Sequence, residues 1–563
     1  MGISHFYSWW KRNFAPCIKT IRSALDETTP IDNLLVDLNA CFHGSAQKVY
    51  RYGNFKGIPP TAPAYILQRR VCEDVCRTID SLVVLVKPQN RLYLCVDGPA
   101  PYAKITQQRR RRFRSAMDSS SEQIFDSNAI TPGTQFMDSL THYIDWYIRK
   151  KITEDINWKD IEVVFSNEKA PGEGEAKIFH YLRTTIPKSE SACVHGSDAD
   201  LIMLALGTHR KNMYILRDDM YDAGRTYFLV DISTAHDYIA DLLEWECEGQ
   251  IYDRNVAIDD FVALFFTIGN DFLSHVPSLE IIEGGVEVII EMYQKTGSKF
   301  GHITKRYQIG TERGGSTTFN KEALKYFFQL VSEVEEYLLQ QKISRITEYF
   351  PDELLSSCVD DKGMLDIEKY RRVYTETHFG NDETEIEAVC MTYLEGMNWV
   401  LSYYKHGVSS WTWFYPYHHG PLATTLAQHI DKFRVASYGS TRPMLPFEQL
   451  ISVLPPKSSG LLPHSLGSTL NPPSEFNMLY CPEKPEIDLS GKKNDWQGIV
   501  MLPVLYPQTI STEYMKKENT ISIPDQKRNR LGRAFSYKRV RMPYLFSSRY
   551  GNLNNCYTLR VMV

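Results

Sequence analysis

Seven carboxylates in the 563-residue chain stand where a phosphate-processing site needs them: Asp37, Asp97, Glu173, Glu175, Asp198, Asp200 and Asp271. Asp37 and Asp97 close short apolar runs, NLLVDL (33–38) and RLYLCVD (91–97), and Asp198 follows the run 191–197. Glu173 and Glu175 sit in the Gly-rich turn APGEGEAKI (170–178), and Asp271 in IGNDFLSH (268–275). Asp198 and Asp200 are two apart, so in extended backbone their side chains share a face. Any one acid at a strand end is an ordinary solvated cap. Seven converging on one cleft would repel each other and resist desolvation, and divalent cations relieve both penalties. Hard oxygen donors suit Mg²⁺ or Mn²⁺. Two such ions roughly 3.5–4 Å apart serve phosphodiester cleavage. Other phosphate or hydrolase signatures are missing: GEGEAK lacks Walker A spacing, and neither a GxSxG elbow nor an HExxH helix occurs.

The elements that must position these acids alternate in kind. Apolar runs at 33–38, 91–97, 161–166, 191–198, 213–218 and 225–231 read as buried strands, and 65–86, 134–151 and 174–184 as helices between them. That alternation predicts an α/β fold with a doubly wound, mostly parallel sheet, in which the carboxyl ends of the strands line the ligand crevice. Residues 258–299 change to short helices around a GND turn, and a Gly-rich break follows at 300–316. From 320 the pattern is mainly helical, with apolar residues at helical period over 321–343 and a helix over 390–407 capped by Gly407. Acidic 376–388 reads as a surface loop, 454–476 as a long irregular connection, and WTWFYPY (411–417) as scaffold packing. The expected division is a nuclease domain at 1–300, a link at 301–319 and a mainly helical region at 320–563.

Net charge is −5, yet KITQQRRRRFR (104–114) concentrates six cations and no anion. A basic stripe on an acidic chain fits a groove that seeks phosphate. The tail 525–546 is basic again and is expected to line the path of a nucleic acid. Eleven scattered cysteines give no disulfide framework, which implies a reduced, intracellular setting. Cys72 and Cys76 lack a second pair at zinc spacing. The N-terminus has no secretory pattern, and Phe6 breaks the myristoylation motif. No apolar run is long enough for a membrane span.

Several motifs, in order, resemble the Xrn family of 5′→3′ exoribonucleases. They are DLNACFH (37–43), VDGPAPYAKITQQRRRRFR (96–114), APGEGEAKI (170–178), GSDADLIML (196–204) and GNDFLSHVPSL (269–279). The second half adds YLEGMNWVLSYYKHGVSSWTWFYPYHHGP (393–421), PFEQLISVLP (446–455) and EIDLSGKKNDWQGIVMLP (486–503). The resemblance implies that the seven acids are metal ligands for two Mg²⁺ or Mn²⁺ ions. It implies a 5′-phosphate pocket of Lys104, Gln108, Arg111 and Arg112, which at i, i+4, i+7 and i+8 share one helix face, while Arg109, Arg110 and Arg114 point elsewhere. It implies also that His43 and Trp496 bracket the stacked bases of the 5′ end. The chain departs from the family pattern at Ala40, Tyr102, Ala176 and Ser274, where Gly, Arg, His and Pro are usual. Tyr102 thus costs an RNA contact, and Ala176 some support for the acidic pair. The extra C-terminal domains of the large cytoplasmic members are expected to be absent.

The implied activity is processive 5′→3′ hydrolysis of single-stranded RNA bearing a 5′-monophosphate, with release of nucleoside 5′-monophosphates. The setting implied is mRNA decay in the cytoplasm, the nucleus being an alternative, by a monomer without membrane contact. Decapping or other RNA-processing factors are the expected partners. Two rival readings are a flap-endonuclease-like, structure-specific DNA nuclease and an inactive RNA-binding protein on the same scaffold. DNA flaps assayed beside phosphorylated RNA separate the first, and one incubation with RNA and Mn²⁺ decides the second.

Overall fold

The computed structural model describes residues 5–23, 25, 30–118, 124–219, 226–308, 315–345 and 350–563. In chain order the strands are β1 (Ile18–Ile21), β2 (Asn33–Asp37), β3 (Arg91–Cys95), β4 (Glu162–Ser166), β5 (Ala192–His195), β6 (Met213–Asp218) and β7 (Tyr227–Asp231). Two short hairpins follow, β8 (Thr304–Gln308) with β9 (Gly315–Phe319) and β10 (Glu486–Asp488) with β11 (Ile499–Met501), and then β12 (Phe535–Phe546) and β13 (Leu553–Met562). The first helices are α1 (Phe6–Asn13), α2 (Leu38–Tyr50), α3 (Ala64–Val86), α4 (Tyr102–Asp118), α5 (Gln135–Glu154), α6 (Gly174–Thr184) and α7 (Asp200–Leu206). The expected strand 225–231 begins on Arg225, outside the described residues, as does the middle of the Gly-rich break, 309–314.

Two compact units are formed, each from three stretches of chain. A sheet unit takes Pro16–Ser233, Arg442–Pro482 and Leu505–Val563, and a helical unit takes Met1–Ala15, Thr234–Thr441 and Glu483–Val504. The linear division at 300 and 320 follows sequence pattern, whereas these units follow packing, so the two cut the chain differently.

In the sheet unit nine strands run in the order β1-β7-β6-β5-β2-β3-β4-β12-β13 among the described residues. The five in the middle, β6-β5-β2-β3-β4, are mutually parallel. The fold class expected from the alternation is therefore the one observed. Chain order reverses between β2 and β5, which makes a topological switch point there. β2 to β5 are buried almost end to end, as parallel strands covered on both faces must be. Their side chains divide by twos. Leu34, Val36, Leu92, Leu94, Val163 and Phe165 share one core with the inner faces of α3 and α5. On the opposite side Tyr93 stacks on Tyr181 of α6, ring centroids 4.5 Å apart.

Three parts of the second half differ from expectation. Residues 535–546 of the basic tail form a strand where a mainly helical region was expected: β12 pairs antiparallel with β4, and β13 with β12. Lys, Arg and Pro543 hide the strand pattern, and the register shift between Arg539 and Tyr544 spans the proline. Acidic 376–388 is no loop. Asp382 accepts from Thr384 N at 2.9 Å as the N-cap of helix Glu383–Lys405, whose first turn carries Glu383 and Glu385. Carboxylates are favoured there because they cap free N–H groups and oppose the helix dipole. The stretch 454–476 is a chain of short helical turns, Pro456–Leu461, His464–Gly467 and Ser468–Leu470 among them.

The helical unit builds on long helices at Lys321–Ser344 and Glu383–Lys405, with Arg254–Phe265, Gly285–Phe300 and Ile367–Phe379 alongside them in sequence. Within WTWFYPY, Trp413 stacks on Trp399 at 5.1 Å and Tyr415 is buried, so the motif packs inside this unit. No described helix is long and apolar enough to cross a membrane.

Candidate active site

Six of the seven acids reach the carboxyl ends of the parallel strands of the sheet unit. Asp37 ends β2 and caps α2, accepting from Asn39 N at 3.0 Å and Asn39 Nδ2 at 3.1 Å. Asn39 in turn accepts from Asp97 N at 3.3 Å, and Asp97 accepts from Gly174 N at 2.7 Å. The turn after β4 is drawn in by glycines. Gly98 and Gly172 exchange backbone contacts with their neighbours, Gly98 N donating to Gly172 O at 2.9 Å and Gly172 N to Pro99 O at 2.8 Å. A Cβ on Gly98 would lie 1.8 Å from Ala170 O, and one on Gly174 would lie 2.7 Å from Asp37 Oδ1. Only glycine lets the start of α6 come this close to β2.

Glu173 and Glu175 are thereby buried at the N-terminus of α6. Beyond β5, Arg217 of β6 donates to the carbonyls of Ser197 and, at 2.7 Å, Asp198, which fixes the loop carrying Asp198 and Asp200. Glu175, Asp198 and Asp200 each present one oxygen within 4.8 Å of the others. Burial first, and then Asp97 and Asp198 nearby, hold the Asp37 carboxyl well above the usual carboxylate range. Burial and then Asp200 do the same to Glu175. Glu175 Oε2 is buried with no hydrogen-bond partner among the described residues. A cluster of hard oxygen donors with an orphaned carboxylate oxygen fits a divalent cation.

Two lysines enter the cluster. Lys104 of α4 pairs with Glu173 and lies 4.0 Å from Glu175, so in this fold its ammonium faces the acids. Lys177, which sequence reasoning passed over, is buried and donates to Val96 O at 2.7 Å and Asn167 O at 3.0 Å. It staples β3 to β4 just below Asp97 and the acidic turn, and a single lysine in a helix gives no sequence signal for that.

The side chains of the basic helix α4 meet different surroundings. Arg109 turns into the scaffold, donating to Tyr480 O and lying over Phe113, 5.3 Å from its ring centroid. Gln108 is buried and accepts from Gln449 Nε2 at 3.4 Å, while Gln449 Oε1 accepts from Ala100 N at 2.9 Å. Gln449, on helix Pro446–Val453, is a second residue the sequence left unremarked, although its PFEQLISVLP motif was visible. Tyr102, where an arginine is usual, bonds Leu505 O at 2.5 Å and serves the core. Arg111 is exposed and Arg112 buried. Burial, and next Arg111, pull the Arg112 guanidinium down to about 9, and its Nη1 has no hydrogen-bond partner among the described residues. His43 of α2 is pulled down to about 4 by burial, then by Arg111 and Arg112, so its ring is neutral at physiological pH.

Asp271 and Trp496 belong to the helical unit. Asp271 sits in a tight turn: Gly269 has φ +95°, and Asn270 Oδ1 accepts from Phe272 N at 2.8 Å and Leu273 N at 2.9 Å. Trp496, 53% exposed, lies in the turn Asp495–Gln497 with its ring 5.6 Å from that of His5.

Comparison with known proteins accords with this geometry. Residues 1–219 match the family described as XRN 5'-3' exonuclease N-terminus, and 251–354 with 352–541 match the Xrn1 helical domain. The 5'-3' exoribonuclease 1 of Schizosaccharomyces pombe is 27% identical over 94% of this chain and 49% of its own. The human 5'-3' exoribonuclease 1 is 27% identical over 94% of this chain and 35% of its own. The 5'-3' exoribonuclease 2 homolog of Drosophila melanogaster is 27% identical over 97% of this chain and 74% of its own. The chain thus spans about half, or less, of the exoribonuclease 1 relatives. Among solved structures, the catalytic core of Rad2 in complex with DNA substrate aligns at a TM-score of 0.31 and 17% identity, over 51% of this chain and 69% of that one. On the two family matches, which between them take in nearly the whole sequence, the chain belongs to the XRN 5'-3' exonuclease family.

Proposed function

We propose that the chain is a 5′→3′ exoribonuclease that hydrolyses single-stranded RNA carrying a 5′-monophosphate, processively, releasing nucleoside 5′-monophosphates. What supports the reading most is the buried, partnerless oxygen of Glu175 inside a cluster of carboxylates. Asp37, Asp97, Glu173, Glu175, Asp198 and Asp200, joined by Asp271 on the family resemblance, would hold two Mg²⁺ or Mn²⁺ ions. Divalent ions there supply the charge that activates a water and steadies a leaving oxygen.

The chain's own side chains bind and orient the substrate. Arg112, with one buried N–H group to spare, and exposed Arg111 receive the two charges of a terminal monophosphate; planar guanidinium forks match that geometry. Gln108 donates beside them, and Lys104 turns from Glu173 to the phosphate once that acid is neutralised otherwise. A pocket built for a terminal monophosphate would exclude a capped or triphosphate end. By the family resemblance, His43 and Trp496 are each base-stacking residues, a stack that ignores sequence and contributes roughly 1–3 kcal/mol. Factors that generate 5′-monophosphates, such as decapping enzymes, would act upstream in cytoplasmic mRNA decay.

Decay of 5′-hydroxyl, 5′-triphosphate and 5′-monophosphate RNA with Mg²⁺ tests the assignment. The monophosphate should vanish fastest, and equal rates for the three would overturn the pocket.

A further inference from the structure

The helical unit contains a group of buried charges built on Glu280. Glu280 accepts from Lys342 Nζ at 3.2 Å, and Lys492 Nζ lies 3.6 Å from the same carboxylate. Lys492 is buried, and its ammonium donates to His275 Nε2 at 2.9 Å, while His275 Nδ1 faces Val276 O at 3.1 Å. The imidazole is thus a neutral ring that donates through Nδ1 and accepts through Nε2. Lys342 touches Glu280 alone of these groups; Lys492 touches Glu280 and His275.

His275 ends the tight turn that carries Asp271. Val276 N returns to Thr267 O at 2.8 Å, Ser274 Oγ donates to His418 O at 2.8 Å, and Tyr393 OH donates to Ser274 O at 2.9 Å. Lys492 itself begins the loop that carries Trp496. Its carbonyl accepts from Phe350 N at 2.9 Å and its N–H donates to Leu489 O at 2.9 Å. Two residues later Asn494 donates its N–H at 2.9 Å and its Nδ2 at 3.3 Å to Gln497 Oε1 across Trp496, and Gln497 Nε2 reaches His5 at 3.3 Å.

We propose that Lys492 is a positioning residue whose buried ammonium ties the turn bearing Asp271 to the loop bearing Trp496, so that one side chain sets both a metal ligand and a base-stacking ring. The inference rests on the function proposed above, because it takes the roles of Asp271 and Trp496 from there. A cation is needed: the contact to Glu280 is ionic, and the neutral imidazole accepts only from a donor. Such supporting contacts commonly govern about ten- to a hundredfold in metal affinity or activity.

The test sets the two lysines of one carboxylate against each other in the whole chain. Lys492→Met should raise KM for 5′-monophosphate RNA and weaken Mn²⁺ binding, each by about tenfold or more. Lys492→Arg should recover much of both. Lys342→Met should lower the thermal midpoint while leaving KM and kcat in place below it. Combined with Trp496→Ala, Lys492→Met should add little further to KM, since both remove one placement. The inference is overturned if Lys492→Met shifts only the thermal midpoint, as Lys342→Met does, or if its effect on KM multiplies with that of Trp496→Ala. A wild-type chain that leaves RNA intact would overturn the function itself, and this inference with it; an active wild type with an indifferent Lys492→Met overturns this inference alone.

Discussion

Two buried clusters of charge, one in each unit, answer the same problem in opposite ways. In the helical unit Glu280 carries its own counter-ions. Burial would raise its carboxyl, but Lys492 and Lys342 outweigh that and hold it well below the usual carboxylate range. In the sheet unit Asp37 and Glu175 have acids for neighbours, Lys104 offsets them only in part, and both are held well above that range. A cluster that carries its own counter-ions is architecture. One left in charge deficit is a receptacle, complete only when cations arrive from outside.

That contrast can be broken by substitution. The largest effect is expected from Asp198→Ala with Asp200→Ala, which should remove RNA cleavage by several kcal/mol of barrier, on the order of a thousandfold, while RNA still binds in a filter or polarisation assay. Next, Glu280→Gln leaves two buried ammonium groups with no carboxylate between them. It should lower unfolding stability by about 3 kcal/mol, read from a denaturant midpoint.

Glu175→Gln sharpens the comparison, because it removes a buried carboxyl group set among acids, whose nearby Lys104 pairs with Glu173 instead. The metal-free chain should be unchanged or more stable by about 1 kcal/mol, and the rise in thermal midpoint on adding Mn²⁺ should shrink. If Glu175→Gln and Glu280→Gln destabilise the metal-free chain alike, the two clusters do not differ as argued.

The smallest effect is in pH dependence. Glu280 is depressed in the fold, so its contribution is fully present above its unfolded value of about 4.3 and is lost as pH falls toward the folded one. Acid titration of stability should therefore be shallower in Glu280→Gln than in the wild type, below about pH 4.3 and not above it.

These clusters were not equally visible beforehand. Asp37, Asp97, Glu173, Glu175, Asp198 and Asp200 could be read from sequence because each ends a short apolar run or lies in the turn after one, and a parallel sheet sends the ends of such runs to one edge. On α4, helical spacing set Arg109 apart from Lys104, Gln108, Arg111 and Arg112, and Arg109 does turn to Tyr480 O. Nothing comparable announces Lys177, Arg217, Gln449 or the pair Lys342 and Lys492, since each acts on a partner far away in the chain and its neighbours follow no period. The parallel core was legible for the same reason as the acids. β12 was not, because its outward positions are cations and its run is broken by Pro543. Residues 376–388 misled because acids at a helix start and acids in a loop look alike until the cap is seen.

The pairing of β4 with β12 also fixes an order of events. β4 ends at Ser166 and β12 begins at Phe535, so the strand that leads into Glu173 and Glu175 gains its outer neighbour from residues 369 positions later (535 − 166). During synthesis the parallel core is on hand long before that flank can close. Contacts so distant in sequence form slowly, and the docking of this last hairpin is the natural slow step of refolding. Nuclease competence, followed through time after dilution from denaturant, should then lag behind the recovery of helix.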